Sequence, residues 1–214
     1  MQENYNQRVV SKPTLRRLPE YLNYLNQQFK SGKTTISATA VSADMKLNEV
    51  QVRKDLSSVS KSGGKPKTGY LVKELIDDIC DYLGYTNVKN VILVGVGQLG
   101  GALLSYKGFE GCGLNIIAAF DCHPSIIGMD IHGKIVYPDN MMKHICTTYN
   151  VEIGIITVGA ENAQEICDMM IKAGIKAVWN FAPVHLTVPD NITVRNENLA
   201  ASLAILSKQL EKSE

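Results

Sequence analysis

The sequence predicts an α/β protein: a Rossmann-like, doubly wound parallel sheet preceded by a small winged-helix DNA-binding domain. Three observations predict it. From about residue 88, apolar strand-like runs alternate with helical stretches, the pattern of a parallel sheet covered on both faces. The first of those runs breaks into Gly95-x-Gly97-x-x-Gly100 and then a helix. Before residue 73 the chain is basic: residues 1–72 carry 12 Lys/Arg against 5 Asp/Glu, a net +7, whereas residues 73–214 carry a net −6. Such a split predicts two domains with different partners, the basic one meeting nucleic acid or an acidic surface.

Composition bounds the rest. With 214 residues, 45% hydrophobic and 20% charged, the chain reads as a soluble globular protein. No apolar run approaches the roughly 20 residues of a membrane span, and no secretory signal is visible in MQENYNQRVVSKPTLRR. The five cysteines are dispersed, without a C-x-x-C pair, which reads as reduced thiols in a cytoplasmic protein. Cys122 and His123 are adjacent but no second ligand pair stands at zinc spacing, so no metal is expected.

In the first domain, expected over 1–84, Leu15, Leu18, Leu22, Leu25 and Phe29 mark one apolar stripe of a helix. Pro19 falls inside it, so the regular helix is expected to start near that residue. A short helix follows at about ISATAVSADM. In NEVQVRKDLSSV, Asn48 is a good N-cap with Gln51 three residues on, and Val52, Leu56 and Val59 face the core. Gln51, Arg53, Lys54 and Ser58 then lie toward solvent. That is helix-turn-helix logic, in which the second helix enters the major groove, Arg reading guanine and Gln adenine. The glycine-rich, basic KSGGKPKTGY that follows is expected to form a wing, with Lys65 and Lys67 on phosphates.

In the second domain, expected over 85–195, strands are read at NVILVG, NIIAAFD, IGIITVG, KAVWNFA and ITVRN, and helices at about 98–106, 139–149 and 161–173. The three glycines permit the tight turn, the backbone's approach to a pyrophosphate, and close helix–strand packing; the helix N-terminus offers free N–H groups. Asp121, 21 positions after Gly100 at the end of a strand, is placed to accept ribose hydroxyls and to repel a 2′-phosphate, which favours NAD(H). Val96, Gln98 and Leu99 of the turn, and Thr157 and Val158 after IGIITVG, are expected beside the same dinucleotide. For hydride transfer, the best acid/base candidate is His185; His123, His132 and His144 have no paired carboxylate, and little chain is left for a substrate domain. A small NAD-dependent oxidoreductase is thus the alternative to a non-enzymatic reader of the nucleotide, and a DNA-binding protein using the Rossmann unit only as a scaffold is a third.

QVRKDL (51–56), GKPKTGY (64–70), VGVGQLGGAL (94–103), Tyr106 with Gly108 and Phe109, FDCHPSIIG (120–128) and NFAP (180–183) together resemble the bacterial redox-sensing repressors of the Rex family, over nearly the whole chain. The resemblance implies a homodimer that binds a palindromic operator and releases it when NADH rises, without catalysis. It implies that Tyr106, Phe181, Ala182 and Pro183 line the nicotinamide end. It also implies that residues 196–214 form a C-terminal helix exchanged between subunits, for which Leu199, Leu203, Ile205, Leu206 and Leu210 supply an apolar surface. The chain departs from the family's pattern in its wing, where Lys67 replaces a glycine and Gly64 is inserted. Asn198 and Asn23 stand where the family places an Asp and its Arg partner, so a switch built on that ion pair is not expected here.

Overall fold

The computed structural model describes residues 10–210, so residues 1–9 of the stretch read for a signal, and residues 211–214, lie outside the described residues. The chain divides into two compact units, one running to Asn87 and one from Val88.

In the first unit, α1 (Lys12–Lys30), β1 (Thr35–Ile36), α2 (Ala38–Met45), α3 (Glu49–Val59), β2 (Tyr70–Leu71) and α4 (Val72–Leu83) follow in order. α1 starts earlier than the sequence predicts: Ser11 caps it by accepting from Thr14 N, Pro13 occupies the first turn, and Pro19 sits inside the helix. Pro19 removes one backbone bond, which tertiary packing of a 19-residue helix overrides. The predicted stripe is corrected too. Leu18, Leu22 and Leu25 are buried together with Thr14 and Tyr21, while Leu15 and Phe29 are about half exposed. Asn48 caps α3 by accepting from Gln51 N, as the sequence predicts. Strand β2 returns beside β1 in antiparallel register, Ile36 opposite Tyr70, and the wing between α3 and β2 closes at a Lys65–Gly69 bridge. The amphipathic α4, for which the sequence reading had no element, completes the core with Val72, Leu75, Ile76 and Ile79.

Two carboxylates are buried in this unit, Asp55 and Asp78, and Asp55 is the more enclosed. The Asp55 carboxylate of α3, 1% exposed, accepts from Arg17 Nε (2.7 Å) and a second Arg17 nitrogen (3.1 Å), Thr14 Oγ1 (3.0 Å), Tyr21 Oη (2.9 Å) and Gln51 Nε2 (2.9 Å). Desolvation pushes the Asp55 carboxyl up, but the hydrogen bonds from Arg17, Tyr21, Gln51 and Thr14 outweigh it and hold it below its ordinary value. Burial and the bond to Asp55 push the Tyr21 hydroxyl up to about 12.

The second unit carries β3 (Lys89–Val94), α5 (Gln98–Ser105), a 3-10 turn (Lys107–Cys112), β4 (Leu114–Phe120), β5 (Asp130–Ile131), β6 (Lys134–Tyr137), α6 (Met142–Thr148), β7 (Ile153–Ile156), α7 (Ala160–Lys172), β8 (Ala177–Asn180), β9 (Thr193–Asn196) and α8 (Leu199–Leu210). Its sheet order is β5-β6-β4-β3-β7-β8-β9, parallel throughout except the short β5 edge. Strand β3 alternates, Ile92 and Val94 facing α6 and α7, Val91 and Leu93 facing α5. The sheet therefore reverses winding direction between β4–β3 and β3–β7, the point where such folds bind ligands. The predicted helix over 139–149 opens as a 3-10 turn (Asp139–Met141) before α6. Burial pushes the Cys146 and Cys167 thiols to about 11, so these are core side chains and not nucleophiles. No helix among the described residues is long and apolar enough to cross a membrane.

Replacing Asp55 by Asn should destabilise the first unit by about 2–4 kcal/mol, because Arg17 and Tyr21 lose a buried anionic partner. Asp55 has a depressed folded pKa, so its contribution is complete above the ordinary carboxylate value and lost as the pH falls below it toward the folded value. Urea unfolding of wild type and Asp55→Asn should accordingly show a gap at pH 7 that shrinks below about pH 4; a gap independent of pH contradicts the ion-pair account.

Candidate functional site

The glycine turn is built where β3 ends. Gly95 takes φ +98°, and a Cβ there would lie 2.8 Å from both Thr157 C and Val158 Cγ1. Gly100, one turn into α5, sits so close that a Cβ would lie 2.0 Å from the Gly95 carbonyl oxygen. Only glycine at both positions lets α5 start directly over the strand end. Thr157 closes the turn from the neighbouring strand end, its hydroxyl donating to Gly95 O (2.7 Å) and Val94 O (3.1 Å). The α5 N-cap is Gly97, which makes no side-chain capping bond, and the space where its side chain would stand is open.

Asp121 follows β4. One oxygen accepts from Val96 N and the other from His123 N, both at 2.8 Å. The carboxylate thus holds the glycine turn and lines a cavity of about 490 Å³. Of the predicted residues, Gly95, Gly97, Asp121, Thr157 and Val158 line that cavity. Sequence reasoning missed Asp139, Asn162, Glu165, Ile166 and Met169, which also line it. Asp139 opens the 3-10 turn after Pro138, behind a four-residue strand too short to show a period, and the α7 residues, of which Asn162 and Glu165 are exposed and Ile166 is buried, lie on a helix read from sequence only as a range.

Val96, Gln98, Leu99, Gly100, Tyr106, Phe181, Ala182 and Pro183 do not line this cavity. Tyr106, 61% exposed, meets Phe109 edge-on at 5.0 Å; Phe109 meets Trp179 at 6.0 Å, and Trp179 meets Phe181 at 4.5 Å. An aromatic chain therefore joins the end of α5 to the end of β8. The NFAP segment is shaped by the fully buried Asn180, whose amide donates to Ala182 O, Val184 O and Asn196 Oδ1 and whose oxygen accepts from Ala182 N. His185 is exposed. Among the described residues, no group of three His, Cys, Asp or Glu side chains is arranged to hold a metal ion.

On α3, Arg53 and Lys54 are exposed, Arg53 paired to Glu49 one turn earlier. Gln51 is half-buried and bound to Asp55, and Ser58 Oγ donates to Asp55 O (2.6 Å), so both are turned into the domain's own network. In the wing, Lys65 and Lys67 are exposed, whereas Lys61 is tied through its backbone N to Asp78 (2.8 Å). Lys67 has φ +65° at the third position of a Lys65–Thr68 turn. An L-residue there costs about 1 kcal/mol, which explains the glycine expected at that position.

A winged-helix unit and a Rossmann unit with an open glycine turn, on one chain, define a nucleotide-binding DNA-binding protein. The comparisons name it further. Residues 9–57 match the family model described as "Putative DNA-binding protein N-terminus", and residues 86–184 match "CoA binding domain". The chain is 42% identical to the redox-sensing transcriptional repressor Rex of Bacteroides thetaiotaomicron, covering 96% of this chain and 93% of that one. It is 40% identical to the Rex repressor of Treponema denticola, covering 94% and 95%. The crystal structure of RSP in complex with β-NAD+ and operator DNA aligns with a TM-score of 0.89 at 34% identity, covering 96% of this chain and 94% of that one. RSP in complex with β-NADH aligns with a TM-score of 0.84, also at 34% identity, over 96% of each chain. The chain belongs to the Rex family of redox-sensing transcriptional repressors.

Gly100→Ala should weaken NADH binding about tenfold or more while the far-ultraviolet circular dichroism stays unchanged, because the added methyl drives α5 off the Gly95 carbonyl. Unchanged affinity in a fluorescence titration contradicts this geometry.

Proposed function

We propose that this protein is an NAD(H)-responsive transcriptional repressor that holds a palindromic operator and releases it when NADH rises, governing genes of redox and fermentative metabolism. What carries the reading is the conjunction, on one chain, of the Gly95–Gly100 turn held by Asp121 with a capped, basic second helix, in a family named for redox-sensing repression. NAD(H) is held by the turn residues Gly95 to Gly100, by Asp121, and by Thr157 and Val158. Tyr106, Phe181, Ala182 and Pro183 form the nicotinamide end, to which the aromatic chain lends rigidity.

On DNA, Arg53 and Lys54 read the major groove while Lys65 and Lys67 hold phosphates. Freeing Arg53 from Glu49 is cheap, since an exposed pair of this spacing is worth about 0.3–0.5 kcal/mol. Freeing Gln51 from the buried Asp55 costs more, so Gln51 and Ser58 act on DNA mainly by orienting α3. The protein works as a homodimer through α8, whose Leu199, Leu203, Ile205, Leu206 and Leu210 are each more than half exposed and need a cover. In this reading it is a cytoplasmic regulator and not an enzyme, consistent with relatives named as transcriptional repressors.

Arg53→Ala should abolish specific operator binding and leave NADH affinity near wild type. A lost bidentate base contact costs about 1–3 kcal/mol, twice in a dimer. Unchanged operator affinity in an anisotropy titration sinks the assignment, and steady NADH consumption with small carbonyl substrates favours the oxidoreductase alternative. Replacing Leu203 and Leu206 by Lys should turn a dimer into a monomer by sedimentation; a wild-type monomer, or a dimer that survives both changes, contradicts the role given to α8.

A further inference from the structure

The start of α3 carries a carboxylate on the side offered to DNA. Glu49 is the first residue of the helix after its Asn48 cap, and Arg53 lies one turn on. Arg53 donates a guanidinium N–H to Glu49 Oε1, and the same oxygen accepts from Thr39 Oγ1 of α2 at 3.0 Å. Oε2 accepts no hydrogen bond from the described residues. The Glu49 and Arg53 side chains are 40% and 66% exposed, and Val50 is 76% exposed. Val52, Asp55, Leu56 and Val59 are buried in the unit, so Glu49, Val50, Arg53 and Lys54 share the outward face. Beside phosphates a carboxylate on that face is repelled unless a donor meets it.

We propose that Glu49 is a specificity-determining residue of the operator interface: when Arg53 turns to its guanine, the Glu49 carboxylate accepts a hydrogen bond from the N4 amino group of a neighbouring cytosine. This rests on the reading above, in which Arg53 enters the major groove. Arg53 leaves behind an exposed anion that Thr39 still holds to α2, and so still aims. In the major groove guanine offers that anion acceptors only, and thymine an acceptor and a methyl group. Adenine offers an amino group beside the N7 acceptor, which repels a carboxylate. Cytosine alone offers an amino donor and no acceptor. Four residues span about 6 Å of helix, so the cytosine lies within about two base pairs of the guanine. On non-operator DNA no amino group stands in register. Arg53 then stays with Glu49 and the carboxylate faces phosphates, so the same residue weakens non-specific binding.

The test selects duplexes from a random-sequence pool with the full chain as wild type, Glu49→Gln and Glu49→Ala. Each protein is then titrated with the wild-type consensus duplex and with a duplex of scrambled sequence. Wild type should specify cytosine at one position of each half-site, and changing that base should weaken binding about fivefold or more. Glu49→Gln keeps an acceptor for Thr39 and gains an amide N–H, so its preference there should move toward adenine, whose N6 and N7 match an amide. Glu49→Ala should lose the preference at that position and keep the guanine read by Arg53. Both variants should bind the scrambled duplex about twofold or more tightly than wild type, because one negative charge per subunit has gone. A carboxylate that only stabilises the first turn of the helix gives variants with a lower melting temperature and unchanged base preferences, and that result overturns the proposal. So does a position at which Glu49→Ala relaxes a preference for adenine, guanine or thymine instead. In both cases the duplex is still selected and the repressor reading stands. Wild type that selects no duplex overturns that reading, and the proposal with it.

Discussion

The contact of Gly100 with the Gly95 carbonyl is the constraint on which the nucleotide unit depends. With any side chain at residue 100, α5 must lift away from β3. With none, the free N–H groups at the start of α5, the Asp121 carboxylate and the Thr157 hydroxyl converge on the end of one strand. That strand is β3, where the sheet changes winding direction, so the gap between β4 and β7 opens at the same place. The start of a helix and a carboxylate thus meet at one turn.

The DNA-binding unit depends on a carboxylate in a comparable way. Asp55 faces inward from α3, and its hydrogen bonds reach two turns of α1. A buried charge is a poor source of net stability unless every lone pair is used, and here five donors use them. Its benefit is orientation. The recognition helix is fixed about its own axis, with Arg53 and Lys54 outward and Gln51 drawn in. The two carboxylates thus act alike: each holds a backbone element in the pose its ligand requires.

The strands, the glycine turn, the Asn48 cap and the basic second helix were legible in the sequence because each depends on residues close along the chain. What was not legible depends on distant residues. Pro19 reads as a helix start locally, yet α1 runs through it because the packing of Leu18, Tyr21, Leu22 and Leu25 outweighs one missing bond. Asp55, unassigned in QVRKDL, finds its donors only when α1 is folded against it. Asp139 and Glu165 join Asp121 only when three elements meet, and neither has a motif around it. Asn180 stands in the recognised NFAP segment, but its role in shaping that loop appears only with its partners at 182, 184 and 196 in place.

NADH and NAD differ by a hydride and one charge, so a protein that reads them must bind the two differently in its DNA-holding and DNA-releasing states. In this chain Asn198 is occupied with capping α8, accepting from Ala201 N at 2.8 Å, and Asn23 is exposed. Neither brings a charge, so the proposed function assigns discrimination to the reduced ring's fit beside Tyr106 and Phe181. The most direct measurement is operator affinity with no nucleotide, at saturating NADH and at saturating NAD. NADH should weaken operator binding by about 1–3 kcal/mol, roughly 5- to 150-fold, with a smaller effect of NAD; equal affinity under all three conditions contradicts the account.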